Sequence, residues 1–378
     1  MKSGGKLLGT GSGSCVFTPD LPCKGKKTKR NDKRVSKYIF NESAIKLLKD
    51  EQKIVTKIKK IKNYEDWCII FDNYCEPEHL DKLYGYEPKG FDECFKESSI
   101  SDTYYDHINK HSYLTSGPLG GITFEDYFID NYYNVTDVNI EKKFIELMNM
   151  MKPLFEGLKI MEDKKIIHND IKGLNIVKSG DVFKYIDFGL SGTLSQRSLF
   201  RNRGRNEFNT SRIYIYYPLD YIYFYATNSE LEDEKYKINK NDVRYHFDDL
   251  YDYYNSLFNL DFYEVSKNII NDIQSKKLKD LDVLKKVDVY SVGSLVPLLF
   301  MYESKIEFPN TKSEKINDYY NLFKDMTNPY CEQRISANEA YERFNRLLNN
   351  QGVKNNNQIR IVSRKNRQKT IKQKRRLR

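Results

Sequence analysis

The chain has no long hydrophobic run, and this limits the kinds of protein it can be. Its longest apolar stretch, Tyr290–Tyr302, is interrupted by Ser, Gly and Pro. It is shorter than the ~20 residues that a membrane-spanning helix needs, so a buried core helix is expected there. The N-terminus also has no apolar segment of the kind found in secretory signals. These absences predict a soluble, intracellular protein that is not secreted.

Cysteine and histidine are scarce, with six and five residues among 378. No two cysteines have the C-x-x-C spacing, and so few histidines make a zinc site unexpected. Disulfide frameworks are typical of short secreted chains, and this chain is long and has no visible signal. The sequence therefore predicts free thiols at all six positions: Cys15, Cys23, Cys68, Cys75, Cys94 and Cys331.

Acidic residues are absent from the C-terminal end. The segment Lys354–Arg378 contains 11 of the 63 Lys and Arg residues and none of the 53 Asp and Glu residues, so the rest of the chain is close to neutral. The formal net charge of +10 therefore belongs to a basic tail, 351–378, which is predicted to be disordered. A contact with nucleic acid or another polyanion, a nuclear-localisation signal and a solubilising role all fit this composition.

The remainder of the chain is rich in aromatic residues, with 30 Tyr and 21 Phe, and can bury a sizeable core. Its first part alternates like short strands around one helix, and the part after a glycine-rich hinge has helical periodicity. This order predicts two lobes with a cleft between them. The predicted strands are Lys6–Leu8, Cys15–Thr18, Val35–Phe40, Trp67–Phe71, Tyr113–Leu114, Ile176–Val177 and Lys184–Ile186, and the predicted helix of the first lobe is Ser43–Lys60.

Four motifs carry residues suited to phosphate chemistry. Glycines in Gly9–Val16 let backbone amides approach a polyphosphate. The polar turn His168–Asn175 follows a long amphipathic helix and contains a carboxylate, a lysine and an amide that can face one site. Asp187-Phe188-Gly189 closes a short hydrophobic strand, and Asp288–Gly293 is predicted to open an apolar helix. Each motif is weak alone, but together and in this order they are specific.

In this combination the sequence resembles the eukaryotic-type protein kinase family, over roughly residues 5–347. The resemblance implies an α+β, two-lobed fold with a small β-rich N-lobe and a larger helical C-lobe. It places the N-lobe at 1–116 and the C-lobe at 117–350, joined by a hinge at Ser112–Gly121 whose backbone would take the adenine edge. Between Asp220 and Asp288 it implies an insertion, at about 221–285, that is either a helical subdomain near a docking protein substrate or padding without a role.

The resemblance also implies roles for residues of the first lobe in binding ATP. Lys37 stands where the family has the lysine that holds the α- and β-phosphates. Glu51 is its expected partner and Glu42 the alternative. The phosphate-covering loop is matched by Gly9, Gly11, Gly13 and Val16, although its third glycine position falls on Ser14, beside Gly13.

In the second lobe the resemblance implies a catalytic centre. Asp170 matches the residue that orients the substrate hydroxyl and receives its proton, and Lys172 would neutralise the γ-phosphate. Asn175 and Asp187 match the Mg²⁺ ligands, since both supply the hard oxygen donors that this ion prefers. His168 is expected to be a packed structural histidine.

Three departures from the family pattern bear on regulation and folding. Asn169 replaces the arginine that commonly binds a phosphorylated activation loop, so switching by loop phosphorylation is not expected. Gly173 replaces a proline. Asp220 stands where the family has a glutamate that pairs with a buried arginine, here Arg334.

The resemblance implies an ATP- and Mg²⁺-dependent serine/threonine kinase acting on protein substrates, because Lys172 is typical of that type. The alternative is a kinase-fold scaffold that binds partners through its basic tail without transferring phosphate. The residue usage, with much Lys, Asn, Ile and Tyr, is typical of an AT-rich genome. Together with Asn169 and the long insertion, it makes the chain similar to kinases of large DNA viruses. A viral origin would place the protein in the host cytoplasm or the virion.

Overall fold

The computed structural model describes most of the two lobes. The described residues are 6–11, 13–26, 31–97, 108, 110–133, 137–208, 215–221, 224, 254, 258–303 and 313–350. The basic tail and more than half of the insertion lie outside them, so the structure does not address the tail. The described part of the insertion contains the helix Phe262–Gln274. None of the described helices is both long and apolar enough to span a membrane.

The first lobe is built on a five-stranded antiparallel sheet with the strand order β1-β2-β3-β5-β4. Side chains alternate along β2, so that Cys15 and Phe17 face the core while their neighbours are half-buried. Two helices, α2 and α3, cover this face and contribute Leu83 and Phe91. The elements of this lobe are β1 (Lys6–Gly11), β2 (Ser14–Thr18), β3 (Arg34–Ile39), α1 (Glu42–Ile58), β4 (Asn73–Cys75), α2 (Leu80–Tyr86), α3 (Pro88–Glu97) and β5 (Tyr113–Pro118).

The predicted strand at Trp67–Phe71 is wrong. This apolar segment is buried, but it exchanges backbone hydrogen bonds with Tyr185 of the second lobe: the Ile69 amide donates to the Tyr185 carbonyl at 2.9 Å, and the Tyr185 amide donates to the Trp67 carbonyl at 3.0 Å. The sheet continues instead through the short β4, which pairs with β5. An apolar run predicts burial, whereas its hydrogen-bonding partner depends on the tertiary fold.

Four of the six cysteines form disulfides, so the prediction of free thiols is wrong for them. Cys15 of β2 is bonded to Cys94 of α3, and Cys23 is bonded to Cys75 of β4. The partners are 79 and 52 residues apart in the sequence and meet only because α3 and β4 pack beside β2 and the loop after it. Cys68 and Cys331 are buried free thiols.

The second lobe is helical and contains two clusters of buried apolar side chains. Its central helix, α8 (Asp280–Glu303), buries side chains on all sides, because α5 (Asp137–Asp163), α9 (Glu314–Met326) and the loop 168–175 surround it. The elements of this lobe are α4 (Phe124–Tyr132), α5 (Asp137–Asp163), β6 (Ile166–Ile167), β7 (Ile176–Ser179), β8 (Val182–Tyr185), β9 (Gly192–Thr193), α6 (Arg197–Phe208), α7 (Phe262–Gln274), α8 (Asp280–Glu303), α9 (Glu314–Met326) and α10 (337–350).

The prediction that Asp288 opens an apolar helix is wrong, because Asp288 lies in the third turn of α8. A buried carboxylate is tolerated inside this apolar helix because it accepts two backbone hydrogen bonds from the loop after β6. The chain thus has the two-lobed α+β fold expected from its sequence, with a β-rich first lobe and a helical second lobe.

Candidate active site

The loop that follows β6 is held in place from beneath by Asp288. The carboxylate of Asp288 accepts hydrogen bonds from the backbone amides of His168, at 2.7 Å, and Asn169, at 2.9 Å. Asn169 has a left-handed backbone conformation, with φ of 58°, which asparagine tolerates better than most residues. The turn directs the chain so that Asp170, half-buried, follows at the edge of the cleft.

Asp170 is surrounded by the two polar residues that follow it in the loop. The Asn175 side-chain amide donates to Asp170 Oδ2 at 2.7 Å and to the Asp170 carbonyl at 2.8 Å. Lys172 Nζ lies 3.4 Å from the same Oδ2. Burial raises the pKa of Asp170 to about 6, against the opposing effect of the Lys172 charge. The three residues form one connected polar cluster.

Asp187 lies two residues after the end of β8 and also has a left-handed backbone, with φ of 60°. Its Oδ2 accepts from Lys37 Nζ at 2.9 Å, and its Oδ1 accepts from the Gly189 amide at 3.2 Å. Burial would raise the pKa of Asp187, but the Lys37 charge and these hydrogen bonds together lower it. Asp187 is therefore an anion at neutral pH.

Lys37 reaches the cleft from β3, where its ion pair within the described chain is with Asp187 and not with Glu51. Burial would lower the pKa of Lys37, but the carboxylates of Asp187, Glu51 and Asp170 raise it. Glu51 is buried on α1 and acts on Lys37 through its charge, whereas Glu42 is exposed. Burial raises the pKa of Glu51 to about 7, despite the opposing Lys37.

The glycine-rich segment forms the β1–β2 hairpin above this cluster. Gly9 and Gly11 are exposed on β1 and take no part in the described polar network. Gly13 is buried at the turn, where its carbonyl accepts from the amides of Phe40, at 3.1 Å, and Asn41, at 3.3 Å. A Cβ on Gly13 would overlap the Asn41 side chain, so glycine is required there. Val16 pairs directly with Lys37 across β2 and β3.

The predicted hinge corresponds to β5 and the glycines after it. A Cβ on Gly120 would collide with the Val177 side chain, and one on Gly121 would collide with the Lys178 carbonyl. These glycines let the chain pass closely over β7 before α4 begins. The Thr123 hydroxyl caps α4 by accepting from the Asp126 amide at 3.1 Å.

Two residues expected to be structural are buried and paired. The His168 ring contacts Phe188 at a centroid distance of 4.7 Å, and burial lowers its pKa to about 4, so it is neutral at physiological pH. Asp220 accepts from Arg334 at 2.9 Å, and both side chains are almost fully buried. The shorter acid therefore reaches its arginine partner.

Two features of the site were not predicted. Asp288 belongs to a predicted motif, but its role as the anchor of the loop 168–175 depends on hydrogen bonds to residues 120 and 119 positions away in the sequence. Tyr217 and Tyr221 contact Asn169, and they flank the Pro218–Asp220 segment. That spacing around a recognised motif is the only sequence signal that marks them.

This arrangement of a lysine, two aspartates and an asparagine in the cleft of a two-lobed fold agrees with the comparison to known families. Residues 22–213 match the family model described as protein tyrosine and serine/threonine kinase. The match covers a little over half of the chain, so the protein belongs to this family of protein kinases. It includes Lys37, Asp170 and Asp187. A comparison with curated protein sequences finds no match.

Proposed function

We propose that the protein is an active serine/threonine kinase that transfers the γ-phosphate of ATP to protein hydroxyls in a Mg²⁺-dependent reaction. The observation that carries the proposal is the convergence of Lys37, Asp170, Lys172, Asn175 and Asp187 in one cleft. These residues come from both lobes, and each has the chemistry that its role requires.

The donor set fits Mg²⁺. The Asn175 side-chain nitrogen donates to Asp170, so its side-chain oxygen remains as a metal ligand, and Asp187 would supply the anionic oxygen. Within the described residues no group of three or more His, Cys, Asp or Glu side chains could hold a metal, which agrees with an ion bound by one or two protein oxygens and by phosphates. When bound, Mg²⁺ would neutralise charge on the transferring phosphate.

The chain's own groups would position the reactants. Lys37 would hold the α- and β-phosphates, and Asp170 would accept a hydrogen bond from the attacking hydroxyl and then its proton. Lys172, already 3.4 Å from Asp170, would balance negative charge on the γ-phosphate. The glycine-rich turn, with Gly9, Gly11 and Gly13, would cover the phosphates with backbone amides.

The serine/threonine type is supported by Lys172, two residues after Asp170, because tyrosine-specific loops usually carry other residues at that spacing. The domain division at 116/117, the insertion at about 221–285 and the similarity to kinases of large DNA viruses are part of the same proposal. The basic tail 351–378, outside the described residues, is proposed to bind nucleic acid or another polyanion.

The second candidate is a kinase-fold scaffold that binds ATP or partners without transferring phosphate. It is disfavoured because no residue expected to act in the transfer has been replaced. A scaffold would have no need for the ionised Asp187 or for the Asp170–Lys172–Asn175 cluster.

Two measurements on the purified full-length chain separate these candidates. The first is the thermal shift produced by ATP with and without Mg²⁺, and the second is transfer of labelled γ-phosphate to a generic protein substrate, followed by phosphoamino-acid analysis. The proposal expects a Mg²⁺-dependent shift and label on serine or threonine. A Mg²⁺-dependent shift without transfer would indicate the scaffold, and label on tyrosine would contradict the assigned specificity.

A further inference from the structure

Asn169, the residue directly before Asp170, is fixed by hydrogen bonds from three sides. Its amide donates to Asp288 at 2.9 Å, its carbonyl accepts from the Tyr217 hydroxyl at 2.6 Å, and its side-chain Oδ1 accepts from the Tyr221 hydroxyl at 2.6 Å. Asn169 itself is only 1% exposed. A residue anchored through its amide, its carbonyl and its side chain has little freedom to move, and neither does the carboxylate that follows it.

The two tyrosines form a rigid unit. Their rings stack with a centroid distance of 4.4 Å and an interplanar angle of 22°, and both are buried. The residues between them, 218–220, end in Asp220, which is paired with Arg334. Arg334 also lies 5.3 Å from the centre of the Tyr290 ring on α8. The tyrosine pair is therefore tied to the core of the second lobe.

We propose that Tyr217 and Tyr221 are positioning residues that hold Asp170 in place through Asn169. The proposal rests on the proposed function, since Asp170 is the group to be positioned. The network consists only of side chains and backbone groups of the chain itself, so it requires no added phosphate or other charge to order the catalytic loop. Asparagine suits the position because it combines tolerance of a left-handed backbone with a side-chain acceptor.

The test compares Tyr217→Phe and Tyr221→Phe with Tyr132→Phe as a matched control. Tyr132 is also buried, and its hydroxyl donates to the Lys143 carbonyl at 2.6 Å, but it belongs to α4 and not to the site. Each variant removes one buried hydroxyl and leaves its ring, so all three should lower the melting temperature by a similar amount.

Two further measurements distinguish a positioning role from a general loss of stability. The first is hydrogen–deuterium exchange of peptides covering residues 166–176, and the second is kcat together with the KM for ATP. In Tyr217→Phe and Tyr221→Phe we expect faster exchange in this loop and a kcat lowered by ~10-fold at an unchanged KM, because Asp170 is misaligned while ATP contacts persist. Tyr132→Phe should change neither. Combining Tyr221→Phe with Asn169→Ala should lower kcat no further than Asn169→Ala alone.

The proposal is overturned if the two variants match Tyr132→Phe in loop exchange and in kcat, or if exchange rises while kcat is unchanged. A wild-type chain that transfers no phosphate would refute the proposed function instead. In that case the exchange data alone decide: a loop loosened only by Tyr217→Phe and Tyr221→Phe supports the positioning role, and an unchanged loop refutes it.

Discussion

Burial and charge act in opposite directions on the three carboxylates of the site. Burial raises the pKa of Glu51 to about 7 and that of Asp170 to about 6. For Asp187 the direct contact with Lys37 prevails, and its pKa is lowered. Lys37 therefore keeps charged the carboxylate proposed to bind the metal, whereas burial gives Asp170 a pKa suited to receiving a proton near neutral pH.

The pKa of Asp170 predicts an acid limb in the pH dependence of kcat. Asp170 must be ionised to accept the substrate hydroxyl's hydrogen bond, so activity should fall as the pH is lowered through about 6. Lys172→Gln removes the charge that lowers this pKa and should move the midpoint to higher pH. Identical midpoints in the two pH profiles would contradict the assignment.

Asp187→Ala should abolish the Mg²⁺-dependent part of ATP binding, because a hard cation loses its anionic oxygen ligand. The measurement is the ATP dissociation constant with and without Mg²⁺, by calorimetry. Asp181→Ala, at an exposed position in the turn between β7 and β8, is the matched control and should behave as wild type. If Mg²⁺ still strengthened ATP binding to Asp187→Ala as in the parent, Asp187 would not be the ligand.

At the scale of secondary-structure elements, hydrophobic periodicity predicted the positions of helices more reliably than it predicted which segments of the chain contact each other. The apolar spacing of α1 predicted 43–60, and the helix runs from Glu42 to Ile58. Local signals could not identify the partner of Trp67–Phe71, the start of α8 or the cysteine pairs, since each depends on contacts between segments far apart in the chain. Among the candidate site residues, the motifs predicted that Asp170, Lys172 and Asn175 face one site. They did not predict the ion pair between Lys37 and Asp187.

The disulfides predict a redox-dependent stability of the first lobe. Each closes a loop of 79 or 52 residues, and cross-links of this kind typically contribute ~2–4 kcal/mol. Reduction should therefore lower the melting temperature by several degrees. The Cys15→Ser/Cys94→Ser variant retains only the Cys23–Cys75 disulfide, so reduction should lower its melting temperature by less.

A thiol count of the unfolded protein checks the pairing independently. Without reductant the denatured chain should expose two thiols, those of Cys68 and Cys331. A variant with all four bonded cysteines replaced by serine is the control, and its melting temperature should be insensitive to reductant. Six reactive thiols in the unreduced protein would contradict the disulfides.

At the scale of the whole molecule, the excess positive charge lies in the C-terminal tail and not in the two lobes. Deleting Gln351–Arg378 removes all of the excess positive charge, so binding to nucleic acid should weaken and its dependence on salt should become shallower. Turnover of a small peptide should be unchanged, because no described site residue lies in the tail. A truncation that changed peptide turnover severalfold and left polyanion binding intact would favour an arm that controls access to the cleft.

The most direct test of the central claim, that this cleft transfers phosphate, is the turnover of Asp170→Asn beside wild type. The substitution keeps the shape of the side chain and removes the charge that aligns the hydroxyl. We predict that phosphate transfer falls by ~10²-fold or more while Mg²⁺-dependent ATP binding persists. Near wild-type turnover of Asp170→Asn would contradict the account.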